Sequence, residues 1–387
     1  MWDDPVSGGA ANPDCGGTGC RTFSAGVGSR MTDTCMDHKT LVAHAPGRVN
    51  LIGDHTDYNE GLALPMAINL GTDVTFTENS SRQLLFLSSA DPAPATLAID
   101  VNLDPDELDD IHPRWARYVA AMAALTRPHH GGVGRIVTTL PIGSGLSSSA
   151  ALCVAVGLVF GLEGSPATVA QLCQRAEAAL GSDVGLMDPL TSMAGQAGHG
   201  LLIDFSTLRY EYVPIPTEAE VIVVSSGEQR DLSATPYRAR RAECEAASLE
   251  LGVPLGQAEE ADLPGLLDPI MRRRTRHVIS ECRRVHEFAD CLKRSDLPGA
   301  GRVMVESHQS LAVDFEASTP RIDNLVQTLL ATPGVFGARL TGGGFGGSVV
   351  ALCRSGAVDP ARWPGRGWRV VPAAGASVTS GPPPVAL

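Results

Sequence analysis

The sequence predicts an α+β fold, and three observations carry that reading. Runs rich in β-branched residues alternate with longer apolar-periodic runs, so the chain contains both strands and helices. The alternation keeps no strict βαβ rhythm, and the second half is the more helical. With 387 residues, 43% of them hydrophobic and 19% charged, there is ample material for a core in one large unit or two domains.

The elements follow in order. Residues 1–36 are rich in Gly, Ser, Asp and Thr and read as a disordered tail, or as sequence upstream of a true start at Met31 or Met36. Order begins near Leu41-Val42-Ala43. Strands are expected around Gly71–Thr77 and Leu84–Ser88, a helix over Trp115–Leu125, a strand over Val133–Leu140 and a buried helix over Ala150–Phe160. Ser165 supplies an N-cap and Pro166 the first position of a helix that runs to about Leu180. Strands return at Leu201–Asp204 and Val221–Ser225. Helices follow over Tyr237–Leu251, Pro269–Leu292, Gly299–Phe315 and Pro320–Leu330. Strands at Gly337–Thr341 and Ser348–Cys353 close the pattern, and the end beyond Pro372, through Gly381-Pro382-Pro383-Pro384, reads as an extended or disordered tail.

Composition excludes some functions. A formal charge of −13 argues against nucleic acid or an anionic membrane as a partner, although a local pocket can still bind a nucleotide. Lys39 and Lys293 are the only lysines, so nearly all positive charge is arginine. Nine cysteines are scattered without a Cys-x-x-Cys pair, and with ten histidines they show no zinc-ligand spacing. Cys153 and Cys173 lie in apolar helical stretches and are expected as buried free thiols. The odd cysteine count, with no signal peptide or membrane-length apolar run, points to the cytoplasm. The oligomeric state is left open, with a monomer the simpler expectation.

Three stretches, 45–61, 141–149 and 341–348, carry polar or glycine-rich residues between apolar runs. In the second, Gly143, Ser144, Gly145, Leu146, Ser147, Ser148 and Ser149 sit where a strand gives way to a helix. A helix start presents unpaired N–H groups and a partial positive charge, which attract phosphate. The two glycines let backbone approach a ligand, and a serine hydroxyl can cap the helix or ligate Mg²⁺. A well-capped glycine turn is the competing reading; a Walker-type P-loop is excluded, because no Gly-Lys-Ser or Gly-Lys-Thr occurs. In the first stretch, Asp54, His55 and Asp57 fall within four positions on what reads as a loop. Such groups can bond several hydroxyls of one polyol, ligate a metal, or be the solvated charges of a turn. Gly342-Gly343-Gly344 and Gly346-Gly347 suit either a loose turn or backbone packed beside a ligand loop. A fourth stretch, Asp183-Val184-Gly185-Leu186-Met187-Asp188, is less conspicuous.

Together these stretches resemble the three signature motifs of the GHMP small-molecule kinases, and of the galactokinases within that family. The galactokinase string Gly-Arg-Val-Asn-Leu-Ile-Gly-Glu-His-Thr-Asp-Tyr-Asn recurs at 47–59 with Asp54 in place of glutamate. Pro141–Leu152 resembles the second, phosphate-binding motif and Leu340–Leu352 the third; the resemblance runs from about residue 41 to 375. It implies a two-domain GHMP kinase fold of mixed sheets and helices, with the active site in the cleft between domains 37–215 and 216–375, and a tail over 376–387. The implied reaction is ATP-dependent phosphorylation of the anomeric C1 hydroxyl of galactose or a galactose-like sugar, with Mg²⁺. Gly143–Ser149 would cradle the ATP phosphates, with Ser149 and Glu177 holding Mg²⁺. Asp54, His55, Asp57, Gly185 and Tyr237 would bind the sugar, while Arg48 and Asp188 would flank the anomeric hydroxyl. Asp188 would take the proton and Arg48 would stabilise the charge that develops in transfer.

The chain departs from the galactokinase pattern on the sugar side. Asp54 withdraws its carboxylate by about 1.5 Å relative to glutamate. Pro189-Leu190 follows Asp188 where Gln-Phe or Gln-Leu is usual, Ser225–Arg230 diverges, and the Glu177–Asp188 segment is one residue shorter. The alternative these departures raise is an anomeric kinase for a C6-extended or modified sugar, such as an octose in secondary metabolism. A non-catalytic sugar sensor is disfavoured by the intact phosphate loop and Asp188, and a mevalonate- or homoserine-type kinase by the sugar motif at 54–59.

Overall fold

The computed structural model describes residues 39–182, 185–228, 235–363 and 366–381; the expected N-terminal tail lies outside them. The first strand, β1 (Thr40–Ile52), runs antiparallel to β2 (Leu62–Asn79). Their register slips between Pro46 and Arg48 and again between Asn50 and Ile52. Such bulges bend a strand and re-aim its side chains, and these two bracket Arg48. Gly47 sits in the first: a Cβ there would come within 2.5 Å of both Leu140 Cδ2 and the Leu146 carbonyl, so β1 passes directly against the loop that follows residue 140.

The chain continues through β3 (Gln83–Ser88), β4 (Asp91–Ala98), α1 (Pro105–Asp109), α2 (Ala116–Thr126) and β5 (Gly131–Thr138). Next come α3 (Ser148–Val159), α4 (Pro166–Ala179), α5 (Met187–Ala194), β6 (His199–Asp204) and β7 (Arg209–Pro214). The second half contains β8 (Ala219–Ser225), α6 (Thr235–Leu251), α7 (Pro269–Lys293), α8 (Leu297–Val313), α9 (Pro320–Leu330), β9 (Val335–Thr341), β10 (Ser348–Arg354), β11 (Gly367–Val370) and β12 (Ser377–Ser380). An eight-stranded sheet has the order β12-β1-β2-β5-β3-β4, with β6 joining β2 and β7 outside it; only β3 and β5 pair in parallel within it. A four-stranded antiparallel sheet has the order β11-β8-β10-β9. The fold is therefore α+β, as the sequence predicts.

Both sheets bury apolar residues against the helices. On the first, α3 is apolar on every side, from Ala150 to Val159, as a helix sandwiched between layers must be. Phe76, Phe86 and Phe160 interlock beneath it with ring centroids 5.4–6.0 Å apart. On the second, Ile222, Val224, Val349 and Ala351 pack with Phe315, Leu311 and Val326 of the helical layer. Four helix starts follow one local grammar. Asp104, Ser165, Asp268 and Thr319 each cap a helix whose first residue is proline, where the missing N–H has no intrahelical partner anyway.

The polar stretch from Ala45 begins inside β1, which runs as far as Ile52, so Arg48 projects from a sheet strand. One sequence expectation changes: within the tail expected over 376–387, Ser377–Ser380 pairs with Leu41–His44 and covers the outer edge of β1, a role its Ser- and Thr-rich, exposed sequence does not advertise.

Candidate active site

The bulged strand β1 delivers Arg48 to Asp188, the second residue of α5. The contact is a bidentate fork: Nε donates to Oδ1 and Nη2 to Oδ2, each at 2.7 Å, and Nη2 also lies 2.6 Å from Oδ1. The remaining guanidinium nitrogen donates to the Gly145 carbonyl at 2.6 Å. Arg48 is 5% exposed, whereas the Asp188 side chain keeps 18% of its surface. The cation is thus buried as a support and the carboxylate is presented. Pro189 falls in the first turn of α5, so its missing N–H breaks no helical bond.

The loop before α3 lies against this pair. Gly143 and Gly145 both take positive φ, 76° and 79°, and a Cβ on Gly143 would meet nothing within 4 Å. Ser144 is buried, its hydroxyl donating to the Pro141 carbonyl at 2.7 Å and its own carbonyl accepting from Ser348 at 2.6 Å. Leu146 plugs the core at 1% exposure, and its carbonyl accepts from the Arg48 N–H. The sequence left open a well-capped turn here, and the structure removes it: Ser147 stands at the N-cap with φ 63° and makes no capping bond. Its hydroxyl donates to Asp188 Oδ2 instead. The first N–H groups of α3 are left without a side-chain cap, the arrangement that suits an incoming phosphate.

Ser149, in the first turn of α3, lies close enough to the Glu177 carboxylate of α4 to favour its ionised form. Glu177 is 1% exposed, and its Oε2 is a buried atom with no hydrogen-bond partner. Burial, only partly offset by Ser149, raises its pKa to about 7. A hydroxyl beside an unpartnered buried carboxylate oxygen fits a hard, oxygen-seeking cation. Among the described residues no group of three His, Cys, Asp or Glu side chains forms a dedicated metal cage, and Mg²⁺ at a phosphate site needs none.

The sugar-motif residues take different positions around the same point. Asp57 is pushed up to about 6 by burial and then by the charge of Asp188. Gly185 packs so closely on it that a Cβ would coincide with the Asp57 carboxylate. Gly185→Ala is therefore expected to displace Asp57 and raise the sugar KM more than about tenfold while leaving the ATP KM unchanged, measured by steady-state kinetics. His55, at φ 64°, shares a 2.8 Å hydrogen bond with the Tyr58 hydroxyl. Its ring lies 4.4 Å from Phe315 and 5.5 Å from Tyr237, forming an aromatic wall. Tyr237, on α6, also backs onto the third motif, where a Cβ on Gly343 would come within 3.1 Å of its ring.

Asp54 is 2% exposed, and its carboxylate is turned to the protein. Its Oδ1 accepts from the Gly342 N–H at 2.8 Å, and its Oδ2 lies 2.7 Å from Arg339 Nη2, close enough for an ion pair but off the angle of a hydrogen bond. Arg339, fully buried on β9, also reaches Glu281 of α7 at 3.5 Å and donates to the Leu51 carbonyl. Glu281 in turn accepts from Gly53 N–H, Arg284 and Ser307, and its two arginines outweigh burial and hold it at about 2. The third motif is accordingly packed rather than loose: Phe345 N–H bonds the Ala317 carbonyl, Ser226 N–H the Gly347 carbonyl, and Gly347 N–H that of Glu228. The divergent segment from Ser225 to Glu228 is what it packs on; Gln229 and Arg230 lie outside the described residues, as do Asp183 and Val184. Sequence reasoning missed Arg339, Glu281 and Phe315, and the link from Ser147 to Asp188.

Two layered halves that meet at a phosphate-type loop, with an arginine–carboxylate pair at its mouth, define a GHMP small-molecule kinase. Family models agree: the GHMP kinases N terminal domain matches residues 117–196, the GHMP kinases C terminal region 288–362, and the galactokinase galactose-binding signature 34–77. Human galactokinase is 39% identical over 335 residues, covering 83% of this chain and 86% of its own. Galactokinase of Chloroflexus aggregans is 40% identical over 339 residues, covering 83% and 85%. The crystal structure of Lactococcus lactis galactokinase complexed with galactose superposes with a TM-score of 0.78 at 26% identity, over 87% of this chain and 95% of that one. Mevalonate kinase of Methanococcus jannaschii, at TM-score 0.60 and 19% identity over 88% of this chain and 99% of its own, shares the fold. The chain belongs to the galactokinase family.

Proposed function

We propose that this chain transfers the γ-phosphoryl group of ATP to the C1 hydroxyl of galactose. The observation that carries the reading is the Arg48–Asp188 fork, bonded through Gly145 and Ser147 to the loop that opens the uncapped α3. Phosphoryl transfer through a loose transition state asks a protein for positioning and charge stabilisation rather than covalent chemistry. Residues Gly143–Ser149 hold the phosphates, Asp57, His55 and Tyr237 orient the sugar, and Asp188 accepts the C1 hydroxyl proton. Arg48 stabilises the carboxylate and the charge that develops on the transferring group. Asp54 serves the sugar through its place in the turn, with its carboxylate held by Gly342 and Arg339. Ser149 and Glu177 hold Mg²⁺, which supplies neutralisation of phosphate charge. The two domains divide near residue 215, between β7 and β8, where the chain leaves the first sheet for the second. Six free thiols among the described residues, five of them buried, fit a reducing cytoplasm. No helix among those residues is long and apolar enough to cross a membrane.

The test is a panel of free and C6-modified sugars with ATP and Mg²⁺, read by mass spectrometry for the 1-phosphate and followed by kinetics. High kcat/KM on D-galactose is expected; turnover confined to C6-extended sugars would replace this reading with the alternative. The pH dependence is a second check. Asp57 is protonated in the native protein below about 6 and then loses its charge and part of its acceptor capacity for sugar hydroxyls, so the galactose KM should rise by up to roughly fourfold by pH 5.5. The same raised pKa means the unliganded protein gains stability from this group as pH falls from 6 towards 3.8.

A further inference from the structure

We propose that Ser147 is a positioning residue for Asp188: its hydroxyl fixes which carboxylate oxygen faces the substrate and ties the base to the phosphate loop. The inference rests on the kinase reading above but comes from a separate feature, the backbone at position 147. Three residues between 141 and 147 take positive φ, and Ser147 is the one that is not glycine. An L-residue pays for that conformation sterically, and glycine would adopt it freely. Ser147 also forgoes the capping bond that serine at an N-cap normally makes. What the conformation achieves is the contact from its hydroxyl to Asp188 Oδ2.

Counting lone pairs gives the contact a function. A carboxylate offers about four acceptor positions. Arg48 Nε bonds Oδ1, while Arg48 Nη2 and Ser147 both bond Oδ2, with Nη2 also 2.6 Å from Oδ1 as part of the ion pair. The position that carries no hydrogen bond, and so is left for the C1 hydroxyl of the sugar, is on Oδ1 beside the Arg48 cation. Without the serine hydroxyl, Oδ2 regains a free lone pair, and the base can take the proton in either of two geometries. The charged groups around Asp188 are Arg48 from β1, Asp57 from the turn after it and Glu177 from α4. Ser147 is the neutral donor that joins this set to the loop.

The experiment compares Ser147→Ala, Ser147→Gly and Ser147→Thr in the full chain, with kcat and both KM values measured from pH 5 to 9. Alanine removes only the hydroxyl; glycine removes the whole side chain but adopts the backbone conformation without strain, so it decides the matter even where alanine folds poorly. Alanine and glycine should lower kcat about tenfold to hundredfold with the ATP KM within about threefold, and threonine should restore most of the loss. Loss of a donor to the ionised carboxylate should also move the acid limb of the kcat profile upward. A rise in ATP KM with kcat kept and the acid limb unmoved would assign the hydroxyl to the nucleotide and overturn the proposal; so would a glycine variant equal to the parent. Carboxyl ¹³C titration of Asp188 in the unliganded protein, assigned with Asp188→Asn, needs no sugar turnover. An upward shift in the glycine variant supports the contact and no shift refutes it, even where the substrate reading itself fails.

Discussion

Asp188→Asn is expected to lower kcat for sugar phosphorylation by about 10²–10⁴, the range a positioned general base contributes. Asparagine keeps the size of the side chain, and its carbonyl can still accept from Arg48 Nε or Nη2. What it cannot do is take a proton. ATP binding, read with a fluorescent nucleotide analogue, should stay within about threefold, because the proposed nucleotide contacts lie in the loop and α3. Alanine is the poorer probe: Arg48 is 5% exposed, and removing the partner of a buried charge costs about 3–5 kcal/mol. A melting curve on both variants separates the two effects, since asparagine should lose activity with little loss of Tm. Arg48→Lys should fail as well, because an ammonium cannot bond both Asp188 oxygens and the Gly145 carbonyl with the geometry of the fork. Retention of most of the activity in Asp188→Asn would mean that positioning alone carries transfer, with water receiving the proton.

How much of this was legible in the sequence follows from the range of the interactions. Local grammar was readable: α4 begins at Ser165-Pro166 as expected, and the apolar run after Ser149 is the buried helix α3. The three motifs were readable as strings, and the structure brings Arg48, Asp188 and the loop at 143–149 to one place. Short edge strands such as β7, β11 and β12 were missed, because four to six partly or wholly exposed residues carry little periodicity. The serines of the loop looked like helix caps, since the alternative partner is 41 positions away in sequence. Arg339 and Glu281 left a faint trace. Each is a charge flanked by buried apolar residues, Arg339 between Ala338 and Leu340 on β9 and Glu281 between Val278 and Val285 on the highly charged α7. A buried charge demands a partner, but sequence alone does not say which one.

Arg339→Met is expected to be among the most destabilising single changes outside the apolar core. The guanidinium is fully buried and serves both Asp54 and Glu281, which are 2% and 0% exposed. Removing it leaves Asp54 with one hydrogen bond from Gly342 and no cation within 4 Å among its recorded ion pairs, at a cost of about 3–5 kcal/mol. Glu281 suffers less, because Arg284 remains 2.8 Å away. For a chain of this size each kcal/mol is worth roughly 2–4 °C, so a Tm lower by about 10 °C is expected. Asp54→Asn should cost much less, since an amide oxygen can still accept from Gly342 and Arg339 keeps Glu281. If the Asp54–Arg339 pair is the source of the loss, the double variant should be more stable than the sum of the singles predicts, a coupling read directly from a double-mutant cycle. The sign of the pH response is fixed as well. Burial already raises the Asp54 pKa against the pull of Arg339, and without that arginine the native carboxyl binds a proton more readily than the unfolded chain does. The deficit of Arg339→Met should therefore shrink as pH falls from 7 to 5. A deficit that stayed constant over that range would locate the loss in packing of the arginine stem, and the turn at Gly53-Asp54 would then be held to the third motif by the Gly342 amide rather than by charge.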